Sequence, residues 1–243
     1  MSDRPYPAPT TPFSMHQTWL DLLFMHWRVS VESVRHLIPR ELEIDTFDGS
    51  AWIAVVPFWM TNIRPRNLPS VPSLSTFPEL NVRTYVTIDG KPGVWFFSLD
   101  AGNALAVWLA RTWFKLPYYN AKMQIEKIGS SDLIRYQSQR THRLTSHAEF
   151  IADYKPVGDI YFPQPNTLEY FLTARYCLYT SDAHGKIYRG EIDHAPWPLQ
   201  IAEADILKNT MTEPIGIALT AEKPLLHFSK KLDVVVWSIK QIR

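Results

Sequence analysis

The apolar residues of this chain come in short runs rich in β-branched and aromatic side chains, each bounded by turn-forming residues. That spacing constrains the fold more than any other feature. Ala51 to Met60 is the densest run and reads as a buried strand, interrupted by Pro57. Leu80 to Ile88 and Val94 to Leu99 flank Asp89-Gly90 as a hairpin with a slightly enlarged loop. Met123 to Ile128, Leu133 to Ser138 and His147 to Tyr154 are further strands, the first two separated by Gly129-Ser130-Ser131. Arg175 to Thr180 and Lys186 to Ile192 form a second hairpin around Asp182 to Gly185, and Asp233 to Ile239 closes the chain as a strand. Gln17 to Arg28 suits a buried strand or a helix equally.

Helical signals are few. Ser30 offers an N-cap for Val31 to Leu37, which Pro39 ends. Asn103 to Phe114 places Leu105, Trp108, Leu109, Thr112 and Trp113 at helical spacing. Asn166 to Glu169 has the form of a capping box that opens a helix reaching about Thr173. The pattern predicts an α+β fold that is mainly antiparallel β, a curved sheet or closed β-barrel with a few short helices. Pro5, Pro7, Pro9 and Pro12 make residues 1–14 an extended arm, and residues 15–243 read as one domain. Pro65, Pro69, Pro72 and Pro78 mark a long rigid loop, anchored by Leu68, Val71, Leu74 and Phe77.

Composition then removes function classes. The 9 glycines form neither GxGxxG nor GxxxxGK[ST]. A formal charge of +1 counts against a nucleic-acid partner, and no apolar run is long enough to span a membrane as a helix. The single Cys177 cannot form an internal disulfide, which fits a reducing, cytoplasmic location. The 8 histidines never form HExxH, no metal or cofactor is implied, and no GxSxG elbow occurs.

The stretches LLFMHWRV, LIPRELEIDTFDGSAWIAVVPFWM, FPELNVRTYV, PGVWFFSLDA, LPYY, ARYCLY, HAPWPL and PLLHFS together resemble the YqjF-like family of bacterial proteins, whose fold is similar to that of acetoacetate decarboxylase. Ala174 stands where that family is expected to carry a glutamate. The decarboxylases form a Schiff base through a lysine whose pKa is depressed by a neighbouring lysine and an apolar pocket. The resemblance puts Tyr118 and Tyr119 at the two lysine positions, and a phenol forms no imine. Lys115 and Lys122 are the nearby candidates for a relocated lysine, and neither has an adjacent lysine.

The resemblance also assigns Glu79 the part of a decarboxylase glutamate, which suggests an acid/base pair of Glu79 and Tyr118. Arg83, four residues along the same strand, shares a face with Glu79 and either pairs with it or meets an anionic ligand. Tyr119, His194 and Trp197, the last two presented by the proline-stiffened stretch HAPWPL, complete the expected ligand-binding set. Three readings stay open at this point: an enzyme acting on a small oxo or carboxylate compound without a Schiff base, a non-catalytic binding or sensing module, and a decarboxylase with a relocated lysine. The expected partner is a small-molecule ligand, with a homo-oligomer possible.

Overall fold

The computed structural model describes residues 4–71, 74–129, 132–220 and 222–243. Pro72 and the Ser130-Ser131 turn therefore lie outside the described residues. The described residues form thirteen strands: β1 (Met15–Val29), β2 (Glu43–Ile44), β3 (Ala51–Pro65), β4 (Phe77–Ile88), β5 (Lys91–Ala101), β6 (Tyr118–Lys127), β7 (Ile134–Arg140), β8 (Glu149–Tyr161), β9 (Cys177–Ser181), β10 (Ile187–His194), β11 (Leu199–Asn209), β12 (Leu225–Val236) and β13 (Lys240–Gln241). Three helices punctuate them: α1 (Val31–Arg35), α2 (Ala104–Trp113) and α3 (Leu168–Thr173).

The strand pairings close on themselves twice. One ring runs β5-β6-β7-β8-β11-β12-β1-β3-β4 and returns to β5. The other runs β5-β9-β10-β12-β1-β3-β4 and also returns to β5. The shared strands β1, β3, β4, β5 and β12 thus have two packed faces, which is why their sequences read as continuous apolar runs rather than strict alternation. One face carries Leu23, Met25, Ile53, Val55, Leu80 and Val82 into a solid core with Tyr136, Phe150 and Tyr154. The opposite face carries Leu22, Val56, Phe58, Glu79, Asn81 and Arg83 into a cavity of about 690 Å³.

Two junctions on β5 are parallel, to β6 and to β9, and the remaining ladders are antiparallel. The first follows from the α2 crossover, because consecutive parallel strands need a connection of this length. The second requires close approach: a Cβ on Gly93 would stand 2.7 Å from the Cys177 carbonyl oxygen. Glycine at this position lets β9 pack on β5 and close the second ring.

Pro57 sits inside a strand that is paired on both sides, where its missing N–H should break a ladder. The break is absorbed by β1. Its register against β3 shifts between Leu20 and Met25, and Asp21 takes a left-handed φ of 50°. The bulge frees the Asp21 carbonyl, which accepts from the Tyr154 hydroxyl at 2.8 Å.

Several local expectations are corrected. Asp89 and Gly90 both have positive φ, so the hairpin loop is a tight two-residue turn and Ile88 pairs directly with Lys91. Asn166 takes a left-handed φ of 69°, and Thr167 caps α3 instead, its side chain accepting from the Tyr170 amide. Glu169 then falls one position short of closing a capping box. In α2 the large apolar residues point outward: Trp108 and Trp113 are 59% and 65% exposed. The packed face is Ala106, Val107 and Ala110, whose small side chains bring the helix close to the sheet. Leu68 and Val71 of the proline-rich loop are exposed too, while Phe77 is buried. Strand β6 starts at Tyr118, five residues before the expected Met123, and β11 was not foreseen.

The Asn103 side chain caps α2 by accepting from the Ala106 amide at 3.1 Å. Asn103→Ala is expected to cost about 1 kcal/mol, measured as a lower urea midpoint with an unchanged slope. An unchanged midpoint would mean that packing alone holds the helix.

Candidate active site

The cavity lies inside the second ring, and polar groups from three strands, one helix end and one turn line it. Strand β4 supplies Glu79, Asn81 and Arg83, alternate residues of one face. Strand β6 supplies Tyr118, which the parallel pairing places opposite Leu99. The segment leaving α3 supplies Thr173 and Arg175, β10 ends in His194, and the turn after it supplies Trp197. Apolar side chains such as Val56, Phe58, Phe96 and Leu99 make up most of the remaining wall. Trp113 and Phe114 from the end of α2, with Ile63, Pro69 and Val71, line its outer part.

Glu79 is buried, and its Oε2 accepts from the Tyr118 hydroxyl at 2.7 Å. It takes part in no ion pair among the described residues. Burial pushes its pKa up to about 7, and the nearby charge of Asp100 adds to the rise. Hydrogen bonds from Tyr118 and Asn81 pull the other way without cancelling it. Asp100 itself faces away from the cavity and is held by Arg140, with Nη2 at 2.7 Å. The Tyr118 phenol is driven well above its ordinary value by burial and by the Glu79 carboxylate. The pair therefore shares one proton chemistry: a carboxyl that titrates near neutrality beside a phenol that stays protonated.

Arg83 does not pair with Glu79. Its guanidinium leans the other way along β4, 5.8 Å from the Tyr85 ring centroid and 5.3 Å from that of Phe24. Arg83 is only 9% exposed; it hydrogen-bonds Tyr85, and among the described residues it belongs to no ion pair and its Nε has no hydrogen-bond partner. Arg175 stands near the same ring, 4.9 Å from the Tyr85 centroid, but its charge is met by Asp45 and its Nε donates to the Phe171 carbonyl at 2.6 Å. One end of the cavity therefore holds two guanidiniums and only one compensating carboxylate.

His194 stacks on Tyr176 with centroids 4.6 Å apart, and its Nδ1 lies 2.7 Å from the Ala195 carbonyl oxygen. Burial lowers its pKa, so the ring is neutral. Trp197 packs between Trp19 and Phe24. His194 Nε2, Trp197 Nε1 and Asn81 Oδ1 have no hydrogen-bond partner among the described residues, and all three residues line the cavity.

The structure thus brings together Glu79, Tyr118, Arg83, His194 and Trp197 from the expected set. Tyr119 is a correction. It follows Tyr118 on the same strand and so points to the opposite face, where Arg140 lies 4.2 Å over its ring and His142 meets it edge-on. Lys115 sits beside the Tyr188 ring at 5.1 Å, Lys122 is exposed, and no lysine lines the cavity among the described residues. Asn81 and Arg175 are among the lining residues that escaped the sequence reading. Both were visible as polar positions in apolar runs, Asn81 at even spacing from Glu79. Ala174 forms the C-cap of α3 between the lining residues Thr173 and Arg175, and does not itself reach the wall.

The double ring with its polar-ended cavity is an acetoacetate decarboxylase-like fold. Two solved structures show it. One is the enduracididine biosynthesis enzyme MppR complexed with pyruvate, 12% identical, covering 99% of this chain and 97% of that one, with a TM-score of 0.64. The other is acetoacetate decarboxylase from Legionella pneumophila subsp. pneumophila str. Philadelphia 1, 12% identical, covering 99% and 93%, with a TM-score of 0.62. Within that fold the chain belongs to the DUF2071 family, described as an uncharacterized conserved protein, whose model matches residues 16–233. It is also 49% identical over 234 residues to "Uncharacterized protein YqjF" of Bacillus subtilis (strain 168), covering 96% of this chain and 95% of that protein. No helix among the described residues is long and apolar enough to cross a membrane.

Proposed function

We propose that the cavity is the active site of an enzyme that acts on an oxo carboxylate by proton transfer, without a Schiff base. The observation that carries this reading is the Glu79–Tyr118 pair: a buried carboxyl lining the cavity, held by one phenol at 2.7 Å, titrating at about 7 and engaged in no ion pair. In its ionised form Glu79 abstracts a proton from a carbon next to a carbonyl, and in its protonated form it returns one. Tyr118 keeps its proton and orients the substrate carbonyl or the Glu79 carboxylate that takes the proton. Arg83 takes the substrate carboxylate, because it is the one buried guanidinium of the cavity without an acidic partner. Pyruvate, with which MppR is complexed, is a compound of this class on the same fold.

An imine route needs an amine in the cavity, and the wall offers guanidiniums, a phenol and an imidazole instead. Borohydride reduction in the presence of acetoacetate is therefore expected to leave the intact mass unchanged. A covalent adduct on Lys115 or Lys122 would restore the decarboxylase reading.

Screening by thermal shift and calorimetry against oxo and hydroxy acids tests the proposal directly. Binding that Glu79→Gln leaves in place, with loss of proton exchange at the carbon next to the substrate carbonyl followed by NMR, is the expected result. Binding with no exchange in the parent protein would make the chain a binding or sensing module. Tyr118→Phe removes a hydrogen bond that holds the Glu79 pKa down. The alkaline shift of any pH–rate profile that depends on Glu79 is the expected outcome, and an acidic shift would contradict the assignment.

A further inference from the structure

The two polar ends of the cavity are too far apart for a compound as short as pyruvate to touch both. Glu79 and Arg83 are four residues apart on a continuous strand, which places their backbones about 13 Å from one another. Their side chains do not close that gap. The Arg83 guanidinium extends toward Tyr85, the next residue of the same face beyond it, and away from Glu79. Consistent with this separation, Asp100 is among the charges that act on Glu79 and Arg83 is not.

Apart from Asn81, the wall between the ends on β3, β4 and β5 is apolar. Val56 and Leu99 flank Asn81 across the β3 and β5 ladders, and Phe96 stands opposite Arg83. A cavity of about 690 Å³ lies within the range that encloses ligands of some twenty or more heavy atoms. Asn81 Oδ1 offers one unpartnered acceptor midway.

We infer that the physiological ligand is an elongated amphipathic acid, its carboxylate on Arg83, its apolar body along Val56, Phe96 and Leu99, and its second oxygen function beside Glu79 and Tyr118. The inference rests on the proposed active site and specifies its substrate class. An extended chain that spans about 13 Å holds roughly nine or ten carbons. An aryl-bearing acid of equal length fills the same space. Shorter acids occupy one end and leave the other unmet.

A chain-length series decides it. Straight-chain ω-hydroxy carboxylic acids from roughly four to twelve carbons are titrated calorimetrically into the full chain, with pyruvate and acetoacetate alongside. Dissociation constants are expected to fall about threefold to fourfold per added methylene, reach a minimum near ten carbons, and rise beyond it. Val56→Phe, which narrows the middle of the cavity, is expected to weaken the ten-carbon acid at least tenfold while leaving the shortest acids unaffected. Should that variant not fold, the parent series still stands as the test. Pyruvate binding as tightly as the ten-carbon acid, or a flat series, would overturn this inference and leave the proposed oxo-carboxylate activity standing. No binding by any acid of the series, with pyruvate and acetoacetate also silent, would overturn both.

Discussion

Glu79→Gln is expected to make the protein more stable than its parent above pH 7 and to leave the two equal near pH 4. In the folded chain the Glu79 carboxyl titrates at about 7, against 4.5 for an unperturbed glutamate, and burial is the main cause. Between those values the native state holds a proton that the unfolded chain has already released. Stability contributed by this group is therefore fully present below pH 4.5 and is lost as the pH rises through 7. A displacement from 4.5 to about 7 corresponds to about 3 kcal/mol. Glutamine occupies the same volume, accepts from Tyr118 through its amide oxygen, and never ionises.

Other groups titrate in the same interval, so the parent curve alone is not diagnostic. Burial lowers the pKa of His26, His194 and His227, and these rings stabilise the fold as the pH rises through the ordinary histidine range. They oppose Glu79 in the parent and are common to both proteins. The difference between urea-unfolding free energies of variant and parent, followed from pH 4 to pH 9, isolates the carboxyl. A flat difference would show that Glu79 titrates in the folded chain as it does in the unfolded one, and that its part as a neutral-pH acid/base is wrong.

Much of this site was readable in the residues. Glu79 and Arg83 share a face because strand periodicity is two, and a stretch as apolar as Phe77 to Ile88 leaves few positions for three polar side chains except against a cavity. The same periodicity, applied to β6, separates Tyr118 from Tyr119. That consequence was hidden because β6 was expected to begin at Met123, which left both tyrosines outside it. Tertiary contacts decided the rest. The outward face of α2 carries more apolar surface than its inward face, and helical spacing alone selects the wrong stripe; the packing surface goes to the alanines because the sheet is close. Strand β11 alternates small apolar and charged residues in Leu199–Asn209, weak by composition, and is held by its ladder to β8. The closing of two rings on β5 depends on Gly93 and on a parallel β9, and a parallel pairing leaves no local signature in the chain.

Arg83→Met is expected to stabilise the ligand-free protein and to abolish carboxylate binding, and the two effects have one cause. A guanidinium at 9% exposure, without an acidic partner among the described residues and with Nε unbonded, bears a desolvation cost that its hydrogen bond to Tyr85 and its contacts with the Phe24 and Tyr85 rings offset only in part. The neighbours add to that cost. His26 and Arg83 act on each other, with Arg83 helping burial to hold the histidine neutral, and Arg175 already owns the carboxylate of Asp45. Methionine keeps the aliphatic stem against Phe24 and Tyr85, fills similar volume and removes the charge. A gain of about 2 kcal/mol is the expected size, within the range seen when buried charges give way to apolar residues. It should appear as a higher urea midpoint at unchanged slope. The binding of any acid that the parent retains should weaken by about 2–5 kcal/mol, the scale of losing a buried charge-assisted partner. Arg83→Lys separates charge from geometry: it keeps the cation, loses the fork, and is expected to fall between parent and Arg83→Met in affinity without the gain in stability. If Arg83→Met instead lowers the urea midpoint and binds acids as the parent does, Arg83 is a structural residue of the wall. The carboxylate would then have to be sought at Arg175, and the residue to remove first would be Asp45, the partner that occupies its Nη1.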